Sequence, residues 1–173
     1  MNRALRAVCF PPLLLVCLLV TACGFHLRGE TALPAWLESA YVESDVRYSE
    51  IADELRRALR VAGVSVPEQP EQANAVVKIE GEQNRRRILS VGSDGRPREY
   101  ELNYQLSYGV YDPAGKVLLP PQTVTEAKAY TFNEVDVLGK STERDELWRE
   151  LRRRAVAAVM NRLRYSQPVQ SPE

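Results

Sequence analysis

The chain has 173 residues, 45% of them hydrophobic and 27% charged, with 23 basic and 23 acidic side chains and a single His. A chain of this size closes one core without disulfide staples, and this composition excludes a wholly disordered protein. Zero net charge gives no case for nucleic acid as a partner, and one His beside three Cys weakens any zinc or His-based catalytic site.

The first segment reads as an address. Arg3 and Arg6 make a positive start, Ala7 to Val20 is an apolar region, and the small residues Thr21 and Ala22 follow. Pro11 and Pro12 interrupt a run that is short for a bilayer span. Val20-Thr21-Ala22-Cys23 resembles a bacterial lipobox, in which the Cys thiol is acylated, the peptide is cut before it, and the new amine is acylated too. The expectation is a signal peptide over residues 1–22 and a lipid anchor on Cys23, that covalent lipid being the one non-protein group expected. An ordinary signal peptide or an N-terminal membrane anchor is the alternative. Cys9 and Cys17 would leave with the signal, so no disulfide is expected. Gly24, in place of Asp, resembles the pattern of lipoproteins sent to the outer membrane. Two or more acyl chains anchor stably. The expected setting is therefore the periplasmic side of an outer membrane.

Residues 23–38 read as an acylated N-terminus and linker, with Trp36 outside any pattern. Ala40 to Val46 reads as a weak strand. Ser49 caps a helix from Glu50 to Ala62, whose Ile51, Leu55, Ala58, Leu59 and Ala62 share one face. Asp53 and Glu54 stand early and Arg56, Arg57 and Arg60 late, matching the helix dipole, and Gly63 suits the stop. Ala75 to Ser90 is a strand, and Asp94-Gly95 signals a hairpin. From Glu99 to Tyr111, Tyr100, Leu102, Tyr104, Leu106, Tyr108 and Val110 alternate with mostly polar residues. The tyrosines in this alternation read as sheet core. Asp112 to Gly115 is a second turn. A fourth strand covers Thr123 to Phe132, reaching back to Val117 if Pro120-Pro121 form an edge irregularity. Thr142 with Asp145 resembles a capping box for a helix from Glu143 to Tyr165. On that helix Arg149, Arg152, Arg153 and Arg154 largely occupy the surface away from the apolar face. Residues 166–173 read as a disordered tail.

These elements predict one α+β domain over residues 39–165. It is a two-layer sandwich, two helices packed on one face of a four-stranded mixed sheet with a long central hairpin. Its lengths do not match. A strand over Glu99–Tyr111 extends about 44 Å at ~3.4 Å per residue. The two helices extend only about 20 and 33 Å. The hairpin tip is therefore expected to project beyond the packed body. Long exposed strands are a pairing hazard that a partner would relieve.

Basic residues gather near that tip. Arg85, Arg86, Arg87, Arg96 and Arg98 fall between Gln83 and Arg98, where Asp94 is the only acid. Arg85 and Arg87 share one strand face and Arg86 takes the other. The guanidinium fork suits phosphate, and outer-membrane lipopolysaccharide is rich in phosphate. The alternative is arginines solvated or paired with Glu99 and Glu101. An enzyme is disfavoured: His26 lies three residues from the anchor, and Asp145-Glu146 sit where helix capping explains them.

Four segments carry a family resemblance. They are Cys23-Gly24-Phe25-His26-Leu27-Arg28-Gly29, Leu59-Arg60-Val61-Ala62-Gly63-Val64, Glu99-Tyr100-Glu101 and Leu138-Gly139-Lys140. In this order they resemble the LptE lipoproteins. The resemblance implies a non-enzymatic plug inside the LptD outer-membrane β-barrel, assisting barrel assembly and the last step of lipopolysaccharide transport. It also implies lipopolysaccharide binding by basic residues near the hairpin tip and before the last helix. Lys140 matches the second position. At the first, the turn reads Ser93-Asp94-Gly95-Arg96, so Arg96 and Arg98 stand in displaced positions. Another periplasmic lipoprotein adaptor, such as a secretin pilot or a wall-binding module, is the competing reading.

Overall fold

The computed structural model describes residues 33–45, 48–131 and 140–169. Its strands are β1 (Ala40–Ser44), β2 (Ala75–Val91), β3 (Pro97–Tyr111) and β4 (Val117–Thr131), and its α-helices are α1 (Glu50–Val61) and α2 (Lys140–Tyr165). The sheet order is β1-β2-β3-β4. β1 and β2 run parallel across the α1 crossover, and the remaining pairs are antiparallel hairpins. The sheet is mixed and the class is α+β.

Helix α1 starts and stops where its sequence says it should. Ser49 is buried in an extended conformation, and its side-chain oxygen accepts the Ala52 N–H at 3.3 Å. At the other end Gly63 takes φ +84°, where a Cβ would be strained. The Gly63 N–H then reaches the Arg60 carbonyl and the Val64 N–H reaches the Leu59 carbonyl, both at 3.0 Å. This is a Schellman stop, and Leu59 and Val64, both in the core, supply its apolar contact. Both hairpins close by one device. The Gly95 N–H reaches Gly92 at 3.0 Å and the Gly115 N–H reaches Asp112 at 2.9 Å, with each of the later glycines at positive φ.

The core lies between one sheet face and the two helices. Ile51, Leu55 and Leu59 of α1 and Leu151, Ala155, Val159 and Leu163 of α2 are buried there with Val42, Val77, Leu102, Tyr104, Leu106, Tyr108 and Val110 of the sheet. The β3 alternation is thus read correctly, and its apolar set lines this face. Each fully buried Leu contributes on the order of 1.5–3 kcal/mol by leaving water.

One irregularity in β2 decides how the distal sheet is used. Ile79 pairs with Tyr108, but Gly81 pairs with Ser107, so β2 carries an extra residue at Glu80. Before the bulge Val77 and Ile79 stand on the helix face. After it Glu82, Asn84, Arg86 and Ile88 stand opposite Leu106, Tyr104, Leu102 and Tyr100 and so occupy that face. The hairpin's β2 slips again at Leu89, where Ile88 pairs with Tyr100 and Ser90 with Glu99, and β4 also carries an extra residue. Tyr108 pairs with Gln122 and Val110 with Leu119, which places the irregularity at Pro120-Pro121 and carries β4 back to Val117.

Four expectations need correction. The domain takes in residues assigned to the linker: Leu37, in a 3-10 turn, is 1% exposed, and Trp36 packs on the core. The segment after α2 is held rather than loose at its start. Trp36 Nε1 donates to the Ser166 carbonyl at 3.3 Å, and the Val169 N–H donates to Leu118 at 2.9 Å. Helix α2 begins at Lys140, so Thr142 lies inside its first turn and cannot be the cap. Arg152, expected on the exposed surface of α2, has a side chain only 13% exposed. The signal segment, Cys23, Val46 and Phe132 lie outside the described residues.

Candidate functional site: the distal hairpin and its basic end

Beyond Gly81, β2 becomes exposed along its length. Residues 82–89 are exposed, with Ile88, Leu89 and Val91 at 54%, 44% and 61%. Three large apolar side chains exposed next to arginines make this end of the hairpin amphipathic.

The arginines differ in what they touch. Arg86, on the helix face, lies over the Tyr100 ring at 4.6 Å. Tyr100 in turn stacks on Tyr130 at 5.7 Å. Arg87 stands directly across from Glu101, with Nε 2.7 Å from Oε1 and Nη2 donating to Oε2 at 3.2 Å. Arg85 donates to Gln83 at 3.0 Å on the open face. Glu99, the other acid near the tip, accepts from Ser90 at 2.7 Å. Arg96 and Arg98 are exposed at the turn. The Arg98 guanidinium folds back over Gly92 so closely that a Cβ there would collide with it. Arg87 thus meets the carboxylate pairing weighed from the sequence, whereas Arg86 meets an aromatic ring and Arg85 an amide.

Lys140 lies at this same end. Lys128 Nζ sits 2.5 Å from Glu150, and Arg162 donates to the Thr123 carbonyl at 2.9 Å, so α2 runs antiparallel to β4. From Glu150 back to Lys140 the helix climbs about 15 Å, and from Lys128 to Thr131 the strand climbs about 10 Å. The Lys140 backbone is therefore near the level of the end of β4, whose Thr131 pairs with Glu99. The structure thus brings Arg96, Arg98 and Lys140 to one end of the domain. Arg85 and Arg87 stand further down one shared strand face.

Sequence reasoning missed a polar clasp at the base of this hairpin, built on the largely buried Arg152. Arg152 of α2 pairs with Glu50 at the start of α1, and its Nε lies 3.9 Å from Glu82 of β2. Glu82 accepts the Tyr104 hydroxyl at 2.8 Å. Burial, and then the Glu82 hydrogen bond, push that hydroxyl far above its ordinary range. One network thus ties α1, α2, β2 and β3. The bulge created it: without the extra residue, Glu82 would face away from the helices. Gly81 is the only hint of it in the sequence.

Among the described residues, no His, Cys, Asp and Glu cluster is placed to hold a metal ion, and no helix is long and apolar enough to cross a membrane. What this end offers chemically is guanidinium groups beside exposed aliphatic side chains. Among the described residues there, no nucleophile is poised against a base.

Comparison with known proteins agrees with this picture. The profile described as "LptE: Lipopolysaccharide-assembly" matches residues 37–163. A protein of Photorhabdus laumondii named LPS-assembly lipoprotein LptE is 30% identical over 152 residues, covering 87% of this chain and 82% of the relative. The solution structure of lipoprotein B from Nitrosomonas europaea is similar, with a TM-score of 0.70, 26% identity, and 82% and 90% of the two chains covered. The crystal structure of rare lipoprotein B from Shewanella oneidensis superposes with a TM-score of 0.61 at 26% identity, over 72% and 89%.

Proposed function

The chain belongs to the LptE family of lipopolysaccharide-assembly lipoproteins, and from that premise we propose that it works as the plug of an LptD outer-membrane β-barrel. In this reading Cys23 carries the lipid that holds the domain on the periplasmic side of the outer membrane. The domain assists barrel assembly and takes part in inserting lipopolysaccharide into the outer leaflet. It does no covalent chemistry.

The observation that supports lipopolysaccharide as ligand is the amphipathic distal hairpin. Arg96, Arg98 and Lys140 gather at one end, with Arg85 and Arg87 along the strand below. Phosphate on a lipid headgroup matches the guanidinium forks, and acyl chain matches Ile88, Leu89 and Val91. Arg87 is the weakest of these contacts, because binding must compete with Glu101.

The test is direct binding of purified lipopolysaccharide. Reversing Arg96, Arg98 and Lys140 to Glu weakens binding by about tenfold or more, since each charge-assisted contact is worth roughly 1–3 kcal/mol before solvent screening. All three lie at the domain's end, so the far-ultraviolet circular dichroism stays unchanged. Unaltered affinity in a folded triple variant would remove the basic end from the account and leave the plug reading standing.

A further inference from the structure

The sheet has two outer edges, and they are treated differently. The β4 edge is blunted from Leu118 to Thr123. Pro120 and Pro121 remove two N–H donors, the Leu118 carbonyl accepts from Val169, and the Thr123 carbonyl accepts from Arg162. The β2 edge is covered only at its beginning, where β1 pairs with Ala75 to Ile79. From Glu80 to Val91 no described strand besides β3 lies next to it. This stretch contains no Pro, and between Glu82 and Ile88 its ladder to β3 is unbroken. Every second residue of such a strand turns its backbone N–H and C=O outward, away from its one partner.

We propose that the Gln83–Leu89 edge of β2 is a strand-addition site. Its occupant is an extended stretch of a partner polypeptide carrying Asp or Glu at alternate positions. The partner's chemistry follows from charge. Gln83 to Val91 holds three arginines and no acid, with Arg85 and Arg87 on one face. In an added strand the residues beside that face fall at i and i+2, so alternate acids meet both guanidinium groups. Exposed Ile88 and Leu89 give its other contacts an apolar surface. Main-chain bonds supply the affinity and the charge pattern supplies the choice of partner. This rests on the reading that the chain acts inside a protein complex.

Hydrogen exchange on the full-length lipoprotein tests it, comparing the complex as copurified from detergent-solubilised membrane with the isolated chain. The expected result is that alternate amides from Gln83 to Leu89 exchange at least about tenfold more slowly in the complex only. Arg85→Glu, and Arg85→Glu with Arg87→Glu, then reduce that protection while circular dichroism stays unchanged. The single variant is the cleaner, because the second substitution also sets a new carboxylate beside Glu101.

A copurified protein partner with no protection at these amides overturns the strand addition and leaves the plug reading intact. Absence of any protein partner overturns both. Protection already present in the isolated chain means that another part of this chain, or a second copy, covers the edge, and the proposal fails. Protection that survives charge reversal overturns the acidic occupant.

Discussion

Arg152→Met cuts the polar clasp under the hairpin while keeping the stem of the side chain in place. The cost follows from the exposure of each group. Glu50 is 73% exposed and resolvates almost freely, so that half of the clasp counts as a surface pair of about 0.2–1 kcal/mol. Glu82 is 32% exposed, keeps the Tyr104 hydrogen bond and loses the cation 3.9 Å away. A fully buried carboxylate stripped of its partner would cost about 3–5 kcal/mol, so Glu82 falls well short of that limit. The expected loss is about 1–2 kcal/mol in urea unfolding, read from the midpoint at unchanged slope. Tyr104→Phe removes the other partner of Glu82, so the double variant departs from additivity by roughly 0.5 kcal/mol or more. A loss below about 0.5 kcal/mol with additive behaviour would refute the network, leaving Arg152 as packing alone.

Two further outcomes follow from single groups. Burial raises the hydroxyls of Tyr104 and Tyr108 above the usual tyrosine value of 10.0. Both stay protonated in the fold after the unfolded chain has begun to lose its protons. Their contribution is therefore complete below pH 10 and falls as pH rises further, by up to about 1.4 kcal/mol per pH unit for each. Urea titrations between pH 9 and pH 11.5 show that decline, and Tyr108→Phe lessens its slope while Tyr104 keeps the rest; stability independent of pH over that range would contradict the burial. Gly63→Ala adds a Cβ that meets nothing within 4 Å, so its cost is backbone strain at φ +84° alone, about 1–2 kcal/mol in the same assay. A neutral substitution would mean that the Schellman stop contributes nothing.

The fold was legible wherever several local signals agreed. Helix α1 has a Ser cap, an apolar face and a Gly stop, and all three act as the sequence suggests. Strand β3 alternates without interruption, and its apolar set lines the core. Trp36 and Leu37 were not legible because a 3-10 turn of three residues has no period to detect. Ser166 to Val169 looked loose because its anchors are backbone bonds, to which composition is blind. The cap placed at Thr142 failed because α2 starts earlier, at Lys140, and a four-residue motif cannot fix a helix boundary.

The basic end was legible as composition and only partly as chemistry. Which arginine meets which carboxylate depends on register. Arg87 faces Glu101 because of the extra residue at Glu80, and that same residue sends Arg86 to Tyr100 and brings Glu82 under Arg152. A one-residue bulge reverses every side chain beyond it, and a sequence read at period 2 carries its error to the end of the strand.

The proposed plug role requires a barrel partner. The most direct test is copurification from detergent-solubilised outer membrane through a C-terminal tag, with the partner identified by mass and by heat-dependent gel mobility. A stoichiometric large β-barrel is the expected companion. Recovery without a barrel, or with a secretin in its place, would contradict the plug and assign the domain to another adaptor class.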